Sequence, residues 1–435
     1  MRQLFLSSLG VNLIVIVMNL LTGIMSAQYL GPDGRGELAA ATRWSFLITV
    51  LFSIGIPGAV IYLGKQFPDR QRMYFGVYLV LGTGIGLIGM LTGQLLLPLL
   101  LGGESQHVVR IAQVAMATVP FALLADGLLG TLQTQNKFRQ VLALRFINPL
   151  GLLLIILLLV VSGHYTVYEF MLCSLAWSVV TFGLTLFWAL RSVKPQIRRV
   201  VATGKELLHR GTQIYAGFIV STFGTNLDQI IISLLLTTYT LGLYSVSASI
   251  ASMLPTVIIG AIGTYLFPKL MDFAPQERRA QVERIHGVLL YSTLGLAVAE
   301  GLLLPFVLPL LYGEKFAESV IMGEILLICA PLNVAYAVLT NYMSTEGKFH
   351  HVTVAEIIGL VSGLTATVIL LPIAHGVGAA VGVAIIAVVK WGYLAFMGLK
   401  MGLSWSKLFG LYPQSYLGLA RRLLLRRRRA EGGAI

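Results

Sequence analysis

Apolar runs of about 20 residues, each long enough as a helix to cross roughly 30 Å of hydrocarbon, recur along almost the whole chain. Lipid offers no water to a backbone N–H or C=O group, so such runs must fold as helices that close their hydrogen bonds internally. Twelve are read, near 4–29, 38–64, 75–101, 108–133, 140–162, 165–190, 211–236, 241–267, 286–312, 319–343, 350–372 and 376–399. With 57% of residues hydrophobic and only 11% charged, the sequence is that of an all-α polytopic membrane protein. The first run lacks the charged flank and cleavage motif of a signal peptide and is kept as a helix.

A formal net charge of +13 raises nucleic acid as a partner, and the placement of the charge argues against it. An even number of spans puts both termini on one side. Of the 31 Lys and Arg residues, 26 fall on that side and only Arg35, Arg110 and Lys315 on the other. The asymmetry follows the positive-inside rule and places both termini in the cytoplasm. Cys173 and Cys329 lie within spans six and ten, a pattern that builds neither a disulfide framework nor a metal site.

The chain also resembles itself. "GVYLV" at Gly76 and "GVLLY" at Gly287, Pro98 and Pro309, Pro120 and Pro331, and "QNKF" and "EGKF" share an offset of 211 residues, while Gly36 and Gly242 pair at 206. Six spans per half is an even number, so the halves enter the membrane in the same direction, as in transporters that rock two bundles about a central site. The expected organisation is a six-helix bundle at 1–190, a basic cytoplasmic linker at 191–210, a second bundle at 211–400 and a basic amphipathic tail at 401–435. The tail, ending in Arg421, Arg422 and four arginines at 426–429, suits an anionic lipid surface.

No Walker motif is present to couple transport to ATP. Gly84, Gly86 and Gly89 fit a dinucleotide fingerprint, but they lie inside an apolar span, where close helix contact is the expected role. Span one carries Ser8, Asn12, Asn19, Thr22 or Gly23, and Ser26 on one helical face, and span seven carries Tyr215, Thr222, Asn226, Gln229 and Ser233. Polar stripes in lipid must face protein or water. They either bond helix to helix or line an aqueous cavity at the repeat interface.

Ionisable residues inside spans are functional candidates. Glu300 lies near the middle of span nine, where a short carboxylate cannot reach the headgroups; it binds a coupling H⁺ or Na⁺ or pairs with a buried cation. Asp228 flanks the stripe of span seven, and Asp126 lies nearer the cytoplasmic end of span four. Arg43 lies about 10 Å below the outer surface at 1.5 Å per residue. From there it either snorkels or turns its fork inward onto phosphate oxygens. Lys390, followed by Trp391 and Tyr393, is expected to anchor in an inner aromatic belt.

"YLGPDGRGELAAA" at 29–41 and "NLDQIIISLLLTTYTLGLYSVSASI" at 226–250, supported by "LFPKL", "LYGEKF" and "EGKF", resemble the polysaccharide-export and O-antigen flippase branch of the multidrug/oligosaccharidyl-lipid/polysaccharide exporter superfamily. The resemblance covers essentially the whole chain. It implies a V-shaped twelve-helix exporter with a central cavity, in the bacterial cytoplasmic membrane. The implied activity is movement of an undecaprenyl-diphosphate-linked saccharide to the outer leaflet by alternating access. Members often carry a cationic cavity; here Arg43 is the main candidate, with Arg145 and Lys390 behind it.

The expected substrate cavity comprises Asn12, Asn19, Arg43, Thr222, Asn226 and Gln229, with Asp228 and Glu300 as coupling or charge-pair residues. Neither catalytic residues nor a metal or organic cofactor are expected. Expected partners are the lipid-linked saccharide, membrane lipids, and a polysaccharide polymerase with its chain-length machinery. The alternatives are a cation-coupled multidrug antiporter of the same superfamily and a membrane-embedded glycan transferase; the latter needs a catalytic cluster near a large extramembrane loop. The outer glycine-rich turn at 31–36 is expected to be structural, with Arg35 in the solvent-facing connection.

Overall fold

The computed structural model describes residues 2–101, 105–224, 226–410 and 412. Among them the secondary structure is helical, with no strand. In chain order the helices are α1 (Arg2–Ser53), α2 (Ile56–Gln66), α3 (Gln71–Leu100), α4 (Gln106–Met116), α5 (Val119–Thr134), α6 (Phe138–Val161), α7 (Val167–Ser192) and α8 (Val200–Gly224). They continue with α9 (Leu227–Leu235), α10 (Thr238–Ala251), α11 (Met253–Met271), α12 (Pro275–Tyr312), α13 (Ser319–Thr345), α14 (Phe349–Lys400) and α15 (Trp405–Leu408). Each of the twelve expected spans coincides with one or two of these helices. Nine stretches among the described residues are long and apolar enough to cross a membrane, and this is a multi-pass membrane protein.

Two of the stretches contain two spans each. α1 turns at Gly31, whose φ of 67° favours a residue without a Cβ, and Pro32 then starts the second arm with its φ already fixed. α14 turns at His375, which holds a φ of 45° three residues after Pro372. The glycine-rich hexapeptide is therefore a sharp elbow between helices. Gly31 alone among its glycines takes a positive φ. Gly36 instead serves a close approach, since a Cβ there would overlap the Thr238 carbonyl, and one at Gly242 would overlap the Pro32 carbonyl. The two glycines paired by the 206-residue offset lie back to back.

Spans two, four, seven and eight are each interrupted. Span two breaks at Ile54 and Gly55, both at positive φ, before Pro57 opens α2. Span four breaks at Ala117–Thr118 ahead of Pro120, against which Gly86 of α3 packs. Gly89 fits Phe52 in the same way, whereas a Cβ at Gly84 would meet nothing within 4 Å. The fingerprint-like glycines therefore pack helices, two of the three closely. The basic linker is irregular only from Val193 to Arg199 and continues as α8. Its Gln196 N–H donates to the Arg72 carbonyl at 2.9 Å, seated over Gly76. The arginine-rich end of the tail lies outside the described residues.

Contacts divide the chain into two compact units, residues 1–249 with 306–320, and residues 250–305 with 321–435. The first has a core of Trp44, Ile48, Leu97, Met116, Ile156 and Phe170 among others, where α1, α3, α4, α6 and α7 meet. The second has its core around Leu266, Leu270, Val282, Tyr342 and Leu394, joining α11, α12, α13 and α14.

Candidate functional site

The second arm of α1 places Arg43 against the start of α9. Arg43 Nε donates to Gln229 Oε1 at 2.6 Å and Nη1 to Asn226 Oδ1 at 2.8 Å. Asn226 and Gln229 are three apart and present their amides on one face. Asn226 Nδ2 donates to the Thr222 carbonyl at 2.9 Å, which orients Oδ1 toward the guanidinium. One residue on, Trp44 Nε1 donates to Ser233 Oγ at 3.1 Å. The polar stripe of span seven thus binds span two. Arg43 is held inward by two fixed acceptors and does not snorkel.

The chemistry of those acceptors matters. Amide oxygens satisfy hydrogen bonds without cancelling charge, so Arg43 retains its positive charge in a partly buried site. Asp228 lies within electrostatic range but forms no ion pair with it. Its Oδ2 accepts from the Tyr244 hydroxyl at 2.6 Å, and its Oδ1 is buried with no partner. Asn12 and Asn19 are exposed on the first arm of α1 and do not join this hydrogen-bonded cluster.

A cavity of about 690 Å³ opens within the same unit, bounded by α1, α2, α5, α6 and α8. Asp126 and Arg145 both line it, beside Thr49, Gln133 and Tyr215. Neither charged group has an ion-pair partner among the described residues. Tyr215 is fixed by donating to the Val50 carbonyl. The hollow offers a donor in Arg145 and an acceptor in Asp126 between mainly apolar walls.

In the second unit Lys390 behaves otherwise than expected. It is 7% exposed, and its Nζ sits 2.7 Å from Glu356 Oε2 and 4.6 Å from the centre of the Tyr336 ring. Tyr336 donates its hydroxyl to Glu356 Oε1 at 2.9 Å. The belt reading is wrong because the side chain turns inward: Gly359 leaves the room its stem occupies, and a Cβ there would overlap Lys390 Cγ. Sequence reasoning missed Glu356, although opposite charges in adjacent apolar runs were the available signal. Glu300, on α12, is partly exposed and has no ion-pair partner among the described residues.

Residues 26–321 match a family model described as polysaccharide biosynthesis protein. No curated protein matches the chain in sequence. Among solved structures, the lipid II flippase MurJ in an inward closed conformation superposes with a TM-score of 0.78 at 14% identity, covering 92% of this chain and 88% of that one. An inward-facing multidrug resistance transporter of the MATE family, in the MOP superfamily, gives 0.71 at 14%, covering 89% and 94%. The MATE multidrug transporter DinF-BH gives 0.64 at 16%, covering 94% and 96%. These likenesses establish the transporter fold. On a family match that takes in well over half of its length, the chain belongs to the polysaccharide biosynthesis protein family.

Proposed function

We propose that the chain is a flippase that moves a lipid-linked saccharide precursor, with an undecaprenyl-diphosphate carrier, from the inner to the outer leaflet by alternating access. Family membership and the fold shared with a lipid II flippase support this reading. The observation that carries it is Arg43, a cation positioned by neutral amides and so left with charge to offer a phosphoryl group. A polar headgroup needs such a path because hydrocarbon opposes its transfer. The cavity at Asp126 and Arg145 provides room for sugar. Asn12 and Asn19, both exposed on α1, are assigned to the substrate path as further polar groups.

The work of the chain is transport without covalent chemistry. Asp228 and Glu300 are the residues assigned to H⁺ or Na⁺ coupling. The setting is the bacterial cytoplasmic membrane with both termini inside, next to a polymerase and chain-length machinery that consume the product.

The test is headgroup translocation of a fluorescent undecaprenyl-diphosphate saccharide in proteoliposomes. Wild type flips it, Arg43→Ala flips at least tenfold more slowly, and Glu300→Gln loses dependence on an imposed ion gradient. Unaltered flipping in both variants removes these assignments. The MATE-like fold also supports a cation-coupled drug antiporter; efflux of small organic cations without saccharide flipping would select it.

A further inference from the structure

The elbow between the two arms of α1 contains an arginine that the flipping cycle described above does not use. Arg35 follows the Gly31 turn and folds back onto the first arm, where its Nη1 donates to Ser26 Oγ at 3.1 Å. Ser26 Oγ in turn donates to the Gly23 carbonyl at 2.8 Å. The Arg35 Nε is buried with no hydrogen-bond partner, and no carboxylate pairs with the guanidinium among the described residues.

Its surroundings are hydroxyls and contain no carboxylate partner among the described residues. Thr22 precedes Ser26 by one helical turn on the same face, and its Oγ1 is also buried without a partner. Tyr165, in the connection between α6 and α7, has a buried and unpartnered hydroxyl too. The phenols of Tyr165 and Tyr312 both lie within electrostatic range of Arg35, as does the positive charge of Arg43. A Cβ on Gly23 would stand 3.8 Å from the Tyr312 hydroxyl and 4.0 Å from Arg35 Nη2, so these two groups border the same small space.

A guanidinium N–H only donates, and the two hydroxyls can donate or accept. Leaving three donors buried and unsatisfied is costly, and leaving an unneutralised cation among them is costlier still. A group that neutralises the guanidinium and can also accept from neighbouring hydroxyls accepts hydrogen bonds and carries negative charge.

We propose that Arg35, Thr22 and Tyr165, with Ser26 and Tyr312 around them, form an oxyanion site at the outer elbow of the first unit that takes a phosphoryl group. The site rests on the Arg35–Ser26 bond, the space at Gly23 shared with Tyr312, and the buried unpartnered atoms, independently of the flippase reading. Only the identity of the carrier, a diphosphate-linked saccharide as opposed to an anionic phospholipid, rests on the flippase reading.

The experiment measures binding of inorganic pyrophosphate to the purified full chain in nanodiscs of phosphatidylcholine, by calorimetry and by the shift in Tm. Wild type binds. Arg35→Gln weakens binding about ten- to hundredfold, as expected for hydrogen bonds to a charged group, and Thr22→Val and Tyr165→Phe weaken it about three- to tenfold. The latter two are near-isosteric, which keeps the test valid where Arg35→Gln fails to fold. Repetition in discs containing phosphatidylglycerol separates the sources: an occupying phospholipid headgroup suppresses pyrophosphate binding to wild type, whereas a site reserved for substrate leaves it unchanged. Pyrophosphate binding lost in Arg35→Gln, in a protein that does not flip saccharide, keeps the site and discards the flippase reading. Equal binding by wild type and all three variants, or no pyrophosphate binding by wild type in discs free of anionic lipid, overturns the proposal.

Discussion

Each unit buries a cation inside a span, and the two are treated in opposite ways. Lys390 in the second unit is cancelled by Glu356, which is itself braced by Tyr336. Arg43 in the first unit is gripped by Asn226 and Gln229, which orient it and leave its charge. On the proposed function, the contrast separates a neutralised cation from one whose charge is kept for a ligand. A buried pair costs heavily when one partner is removed. A cation held by amides has its remaining donors free for an incoming oxygen.

The sharpest way to break this comparison is Lys390→Met. It strands the Glu356 carboxylate, and unfolding in detergent should become easier by about 3–5 kcal/mol. Adding Glu356→Gln should recover most of that loss, because the charge goes with its partner. A single variant as stable as wild type would show that Lys390 is not structural.

Arg43→Ala should do the reverse. Flipping should fall by about ten- to hundredfold while unfolding shifts by about 1 kcal/mol, since the amides left behind can hydrate. An unfolding penalty as large as that of Lys390→Met would erase the distinction between the two cations.

Next in size is the glycine contact that seats α10, and with it Tyr244 and Asp228, against the second arm of α1. Gly36→Ala or Gly242→Ala should cost about 1–3 kcal/mol by forcing the helices apart, and should slow flipping by displacing the partners of Arg43. Differential scanning fluorimetry with the transport assay reads both.

The smallest effect is expected at Gly84. It faces open space, so Gly84→Ala should be neutral or stabilise by up to about 1 kcal/mol, whereas Gly86→Ala meets Pro120 and should destabilise. Equal outcomes at the two positions would mean that α3 does not pack as described.

Much of the fold was legible in the linear order of residues because hydrocarbon admits so few backbone solutions. The span at 140–162 corresponds to α6 at Phe138–Val161, and the span at 319–343 to α13 at Ser319–Thr345. The elbow at Gly31 was signalled by the glycines of 31–36, although which glycine turns and which packs was not. The site was legible in part. Periodicity placed Asn226 and Gln229 on one face, and depth singled out Arg43. Asn12 and Asn19 satisfied the same periodicity yet stand apart from the cluster, because periodicity does not say what a face meets.

Arg35 and Lys390 mark the limit. Counting along the chain put one in an outer connection and the other near an inner belt, and both side chains turned inward. Composition and spacing determined that this chain is a bundle of apolar helices and roughly where each one runs, because those depend on hydrophobicity and on rise per residue. Tertiary structure alone decided which charge meets a carboxylate, which meets amides and which meets hydroxyls, because a side chain's partner is set by the rotation and closeness of a neighbouring helix distant in the chain.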